Sequence, residues 1–197
     1  SAKTAMDYQN PVDHRVYNTG FTEKNLSVMA GWENGKSKNY PQLNIYDNRQ
    51  EIPDGSRDSL TRLFTRQVAE ADLDDIKNRP IVPADQLRSY RIADLHQHIQ
   101  HYRAYHKGAY TIGKGELSTL LGFQQNRRRE YNHPTHLSQP GLFVVLNTVN
   151  YEARYRFPKW AGLDITCGTN GMYQSNRNKS ATDFPIPDYH LFDIGSF

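Results

Sequence analysis

The regular spacing of hydrophobic and polar positions is clearest between residues 139 and 157. Residues 142–146 form an unbroken apolar run, which is typical of a strand buried on both faces. After Asn147 and Thr148 the side chains alternate between two faces as far as Phe157. One face carries Tyr151, Ala153, Tyr155 and Phe157, and the other carries Glu152, Arg154 and Arg156. Two strands so closely joined predict a β-hairpin over residues 142–157.

Two earlier segments show helical spacing instead. After the capping side chains at Ser56 and Asp58, apolar residues recur at intervals of three and four up to Ala71. Residues 84–107 repeat this spacing, and Gly108 is a suitable stop. Residues 163–173 add short strands around a Gly-rich turn. The pattern therefore predicts an α+β fold, with two or three helices packed on a small antiparallel β-meander or hairpin.

Both ends of the chain lack such regularity. Residues 1–55 are interrupted by proline and glycine, and the tail 183–197 carries Pro185 and Pro187, which favour extended backbone. Both ends are nevertheless rich in apolar side chains that need to be covered. We therefore expect two extended arms around a core of residues 56–182. The expected partner-binding side chains are Tyr17, Phe21, Trp32, Phe184, Ile186, Tyr189, Phe192 and Phe197.

Extended arms with isolated aromatic anchors are typical of proteins that hold large assemblies together. The sequence therefore predicts a non-enzymatic structural component of a multi-subunit complex, most concretely a virus or phage particle protein such as a capsid decoration, connector or tail part. The expected partners are other copies of the chain or other subunits, with nucleic acid as a possible partner and no membrane.

The charged residues are unevenly distributed along the chain, and one segment is clearly basic. The net charge of +3 is the sum of +1 over residues 1–50, −2 over 51–83, +6 over 84–160 and −2 over 161–197. The basic middle segment is where a polyanion would be attracted. It is also where Arg127, Arg128 and Arg129 stand in a row.

Residues 116–131 resemble the helix-turn-helix family. Glu116 to Phe123 is similar to the first helix and its turn glycine, and Gln124 to Tyr131 to the recognition helix. With the 142–157 hairpin as a wing, the resemblance implies a winged-helix nucleic-acid-binding protein. The residues it implies for DNA or RNA contact are Arg127, Arg128, Arg129, Arg154 and Arg156. This is the alternative function, because the family's apolar anchor position holds arginine here.

Catalytic and metal chemistry have weaker support. Four histidines lie between residues 96 and 106, and Asp94, His98 and His101 have a spacing that would place them on one face of a helix. That face is expected to be exposed and to lack supporting groups, so no metal, cofactor or catalytic residue is assigned. A histidine-dependent enzyme is the second alternative function.

Two further features of the sequence predict where the protein is made and located. Cys167 is the single cysteine, which rules out an internal disulfide. No apolar run is long enough for a membrane-spanning helix. The sequence therefore predicts a soluble protein made in a reducing compartment.

Overall fold

The computed structural model describes residues 1–180 and 187–197, and strands dominate them. No α-helix occurs in this part of the chain; three 3₁₀ turns lie at Ala71–Leu73, Ile76–Asn78 and Gln86–Arg88. The strands are β1 (Ala2–Ala5), β2 (Gln9–Asn10), β3 (His14–Arg15), β4 (Phe21–Met29), β5 (Trp32–Asn34), β6 (Ser37–Glu51), β7 (His96–Ile112), β8 (Gly115–Tyr131), β9 (Leu142–Arg156), β10 (Thr166–Asn178) and β11 (Tyr189–Ser196).

Nine of these strands form one antiparallel sheet. Its order is β1-β4-β6-β7-β8-β9-β10-β11, with β5 paired to β6, while β2 and β3 form a separate small ribbon. Each strand from β6 to β11 pairs with the next one along the chain, so this part is a meander. Neither β1 nor β11 has a second neighbour among the described strands, and the sheet therefore has two open edges.

The two ends of the sheet differ in their connections. At one end, named the turn end, Gly113-Lys114 joins β7 to β8 and residues 157–165 join β9 to β10. Gly113 has a φ of +62°, which glycine adopts without the clash that a Cβ would cause. At the opposite end, named the loop end, residues 52–95 and 132–141 connect the strands.

A small apolar core lies away from the sheet strands, among the connections near the loop end. Tyr17, Phe64 and Val82 are buried together, and Val16 and Leu87 pack against them. The N–H of Val82 donates to the carbonyl of Phe64 at 2.9 Å, which ties the two segments of the long β6–β7 connection together. The protein therefore buries its main apolar cluster beside the sheet and leaves the centre of the sheet without such a cover.

The prediction of two or three helices on a small hairpin is wrong. Residues 56–79 form turns and bridges, and residues 96–107 belong to β7. The helical spacing in β7 arose from Ile99 and Tyr102, which lie on opposite faces of the strand. Since β7 is hydrogen-bonded along both edges, pairing with its neighbours outweighs a local helical pattern.

The predicted winged helix is also contradicted. Residues 116–131, which resemble a helix-turn-helix, form the 17-residue strand β8 together with Gly115. The predicted hairpin 142–157 is one continuous strand, β9, because Asn147 and Thr148 continue its ladder with β8 and β10. The alternation of Tyr151 and Tyr155 against Glu152 and Arg154 on two faces is confirmed by this register.

Residues 1–55, expected to be an arm, contribute β1 to β6 to this chain's own structure. In particular, β4 and β6 are hydrogen-bonded into the same sheet as β7 to β10, which come from the predicted core. Residues 189–196 of the predicted tail form β11 along the other edge of that sheet. No helix among the described residues is long and apolar enough to cross a membrane.

One ion-pair network offers a test of how firmly the long β6–β7 connection is held. Arg79 has a side chain only 8% exposed, and it binds Asp74 and, at 2.6 Å, Asp54. Replacing it by Met should lower the free energy of unfolding by about 2–3 kcal/mol, because Asp74 would be left desolvated and unpaired.

The matched control is Arg91→Met. Arg91 and Asp94 are 3.8 Å apart and both strongly exposed, so the loss should stay below about 0.5 kcal/mol. Chemical denaturation of both variants measures the difference, and equal effects would show that the Arg79 network does not hold the connection.

Candidate interaction surface

The register of the sheet places one row of apolar side chains across seven strands. Residues directly opposite one another in neighbouring strands lie on the same face. Starting from Val28 in β4, the row follows the printed pairs strand by strand. Its members are Val28, Leu43, Ala104, Phe123, Val149, Tyr173 and Phe192.

The neighbouring positions extend this row into a broad surface. We name as the apolar band the row together with Leu26, Ile45, Leu121, Tyr151 and Ile194, which lie two residues along the same strands. Phe192 is 67% exposed and Leu121 59% exposed. Around Leu43, Ala104 and Leu121 the band has an apolar depression of about 600 Å³. An apolar surface of this continuity marks a site of contact with another apolar phase or molecule.

Exposure on the two faces is the reverse of what a water-soluble sheet normally shows. In the middle of β9, the polar Thr148 is 3% exposed, whereas its neighbour Val149, on the other face, is 37% exposed. Asn176 and Asn48 are likewise 4% exposed on the same face as Thr148. We name this side the polar face. At these three positions polar groups are sheltered by the sheet, whereas Val149 points outward.

Charge is divided between the faces even more strictly. From the row that contains Leu26 and Ile45 to the turn end, no Asp, Glu, Lys or Arg lies on the side of the apolar band in the described strands. We name this region the uncharged zone. The polar face carries many charges over the same length of strand: Glu33, Lys38, Arg103, Lys107, Glu116, Glu152, Arg154, Arg156 and Asp193.

Aromatic residues with a polar atom lie at the turn-end border of the uncharged zone. Tyr110 and Tyr155 are on this face, and the Tyr155 hydroxyl donates to the carbonyl of Ile112 at 3.0 Å. Trp32 pairs with Asn39 on the same face and is 55% exposed. Tyr and Trp are the residues found where one side of the ring meets an apolar phase and the other meets water.

The arginines assigned to nucleic-acid binding do not form one surface. Arg127 and Arg129 lie beyond the uncharged zone, near the loop end, whereas Arg128 lies on the polar face. Arg129 donates to Gln100 at 3.0 Å and covers the ring of Phe143, while Arg128 is 3.5 Å from Glu130. Alternation along a strand sends consecutive side chains to opposite faces, so the run cannot act as one cluster.

The two arginines assigned to the wing are both on the polar face, near the turn end. Arg154 lies 3.1 Å from Glu152 and Arg156 lies 3.2 Å from Asp164. Each is exposed and each is near a carboxylate. The positive charge that the sequence concentrates between residues 84 and 160 is therefore spread over both faces and offset by acidic neighbours.

The side chains expected to bind partners have different environments. Tyr17 is buried in this chain's own core, and Phe21 is half-buried at the start of β4. Trp32 and Phe192 lie exposed on the side of the apolar band, whereas Tyr189 is on the polar face. Phe197 is 57% exposed at the turn end. Phe184 and Ile186 lie outside the described residues.

The histidines do not form a catalytic or metal-binding group. His98 and His101 lie on opposite faces of β7, because they are three residues apart in a strand. Burial favours a higher pKa for Asp47, but hydrogen bonds from His98 and Gln100 outweigh it and hold that pKa below its usual value. Within residues 1–180 and 187–197, no three His, Cys, Asp or Glu side chains are grouped closely enough to hold a metal ion.

Sequence reasoning missed the apolar band itself. Its signal was present as pairs of apolar residues two apart, including Leu26 and Val28, Leu43 and Ile45, and Leu121 and Phe123. Each pair is short and is interrupted by polar residues, which is what a strand with one apolar face requires. Only the register shows that these pairs lie side by side.

Two carboxylates hold the connections at the loop end in place, and their pKa values are shifted in opposite directions. Burial raises the pKa of Glu51, which accepts hydrogen bonds from the N–H groups of Ala93 at 2.7 Å and Gly20 at 2.8 Å. Hydrogen bonds from Thr135, with the contact to His133, lower the pKa of Glu70 to about 2. Glu70 therefore links the β6–β7 and β8–β9 connections in its charged form.

The Glu70 contact predicts a pH-dependent contribution to stability. Since the folded pKa lies below the usual value of 4.5, the contribution is complete above about pH 5 and is lost as the pH falls toward 2. Glu70→Gln should lower the unfolding temperature at pH 7, and the difference from the natural chain should shrink as the pH falls through this range. Thermal unfolding at several pH values measures it.

Asp72→Asn is the matched control. Asp72 is an exposed carboxylate two residues away that has no hydrogen bond or ion pair among the described residues. This variant should leave the unfolding temperature unchanged at every pH. A Glu70→Gln effect that persists undiminished near pH 2 would contradict the assignment.

The chain matches no protein-family model, no curated protein and no solved structure.

Proposed function

We propose that this chain is a structural, non-enzymatic component of a larger multi-subunit assembly, in which its sheet is completed by neighbouring chains. The observation that carries the proposal is a nine-stranded sheet with two open edges and an exposed apolar band. Such features are rarely left in contact with water, because both an unpaired edge and a large apolar patch promote association.

The size of the exposed surface supports this proposal. The chain has a solvent-accessible surface of 13085 Å² and a mass of 22.8 kDa, whereas a compact monomer of that mass exposes about 9,600 Å². The excess is roughly 3,500 Å² on this chain alone, which is at least as large as the share that one partner contributes to a large permanent interface. Contact with neighbours would therefore bring this chain to the exposure that is normal for its mass.

The two edges are suited to pairing with further strands. Gly168 and Phe197 exchange two backbone hydrogen bonds, so the alternation along β11 directs the N–H groups of His190, Phe192 and Ile194 away from β10. On the opposite edge, β1 pairs with β4 from Phe21 to Lys24, and Asn25 donates to Ser1 at 2.8 Å. No described strand pairs with the outer edge of β4 from Leu26 to Met29, and an added strand could bond to the backbone there.

Segment 1–55 is part of this chain's own sheet and core rather than a separate arm. Of its aromatic residues, Tyr17 is buried in the core, whereas Tyr8 and Trp32 are 54% and 55% exposed. The open edges and the apolar band replace the arms as the support for association. The narrower expectation of a virus or phage particle stays a prediction, as does nucleic-acid binding, for which the structure no longer offers a recognition helix.

The edges can be blocked without disturbing the strands inside them. His190→Pro removes an outward N–H from β11, and Ser27→Pro should do the same in β4. Both variants should keep the strand content of the natural chain but form smaller particles, because proline prevents pairing at the edge. Light scattering after size-exclusion chromatography measures the mass, and circular dichroism measures the strand content.

The matched controls are His190→Ala and Ser27→Ala, which lose the same side-chain contacts but keep the N–H. They should assemble like the natural chain. A natural chain that remains monomeric at micromolar concentration, with or without lipid or detergent, would overturn the proposal.

A further inference from the structure

We propose that the uncharged zone contacts the hydrocarbon interior of a lipid bilayer. This inference deepens the proposed function, because it gives a partner of defined chemistry to the face that the assembly leaves outward. It departs from the sequence-based expectation of no membrane contact. That expectation was based on the lack of a long apolar run, but a strand that exposes every second residue needs no such run.

The first argument is the direction of the apolar side chains. A protein partner can cover an apolar patch on a sheet whose other face is a core, but here the opposite face is polar, with Thr148 and Asn176 almost fully buried. A sheet that buries polar groups on one face and exposes apolar groups on the other suits surroundings that are less polar than its polar face.

The second argument is the length of the zone along each strand. It covers residues 102–112 of β7, 115–125 of β8, 147–155 of β9 and 167–175 of β10. These stretches are between nine and eleven residues long, and tilted strands need about 9–11 residues to cross bilayer hydrocarbon. Contact with a protein surface would not require the zone to have this length in all four strands.

The third argument is charge. A protein interface normally tolerates charged residues at its rim, and even a single charge is costly in hydrocarbon. In the described strands, the zone excludes Asp, Glu, Lys and Arg completely, although Arg154 and Glu152 alternate with its residues in β9. Two imidazoles lie on this face, His106 near the centre of the zone and His190 at its loop-end border, and the His106 ring is 3.1 Å from the Asn39 side-chain oxygen.

The fourth argument is the backbone. In hydrocarbon every N–H and C=O must have a partner within the protein. Strands β6 to β10 satisfy this condition across the zone, since each pairs with a neighbour on both sides. The outer strands β4 and β11 would meet it once their edges are paired as in the proposed assembly. Tyr110, Tyr155 and Trp32 then lie at one border of the zone, where the headgroups would begin.

The single cysteine provides a direct test with the natural chain. Cys167 is exposed and lies at the edge of the uncharged zone, opposite Tyr155. A bimane label on Cys167 should lose most of its fluorescence when the protein is reconstituted in phosphatidylcholine vesicles whose acyl chains carry bromine close to the headgroup, which is the depth expected for this position. Vesicles of the same lipid without bromine should not quench it.

The matched control moves the label by one residue to the other face. In Cys167→Ser/Thr166→Cys the label lies on the polar face, and it should keep its fluorescence in the same brominated vesicles. Equal quenching at both positions, or none at position 167, would overturn the inference. A label at position 167 that is shielded without lipid, in a particle twice the mass of the chain, would also overturn it in favour of a second copy.

A pair of substitutions tests the centre of the apolar band. Phe123→Glu should reduce the fraction of protein that floats with the vesicles at least about ten-fold, because it places a carboxylate in hydrocarbon. Gln124→Glu adds the same carboxylate one residue away, on the polar face, and should float normally. Equal flotation of the two variants would contradict the assignment.

The outcomes also separate the two proposals. Quenching confined to position 167 in a chain that stays monomeric would overturn the assembly and support lipid contact. The opposite result is that the proline variants at His190 and Ser27 block assembly while the label at position 167 is not quenched. It would support the assembly and overturn lipid contact.

Discussion

The backbone ladder of the antiparallel sheet is the interaction on which the rest of the structure depends. Strands of 13 to 17 residues from β6 to β10 are bonded along both edges. Because the ladder fixes the register, it also fixes which side chains lie together. A slip of one residue in β8 would exchange Phe123 and Gln124 between the faces and break both the apolar band and the separation of charge.

This arrangement differs from a sheet that supports a conventional core. The buried apolar cluster around Tyr17 and Phe64 is small and lies among the connections. The centre of the sheet shelters Thr148 and Asn176 instead, and exposes Val149 and Phe192. The apolar side chains that would normally stabilise the fold in water are thus available for contact with something else, which links the stability of this protein to what surrounds it.

The loop end of the sheet has a different role. It holds the charged groups that the zone excludes, and these are tied into specific contacts, such as Arg79 with Asp54 and Glu70 with Thr135. Such contacts fasten long connections that have little regular structure of their own. The protein is therefore divided along its strands into a part with long connections and charges on both faces, and a part whose charged residues are confined to the polar face.

The sequence by itself determined the local properties of single strands. The alternation of Tyr151 and Tyr155 with Glu152 and Arg154 was readable directly, because a strand has a period of two residues. The helices predicted for residues 56–71 and 84–107 were wrong. Residues 56–71 form turns and bridges within the long β6–β7 connection. Residues 96–107 belong to β7, where apolar or aromatic groups on both faces of the strand also produce spacings of three residues. Only the tertiary structure decided the pairing, and with it the candidate surface. Val28 and Phe192 are far apart in the chain, and they share one row because the ladders between them bring seven strands into register.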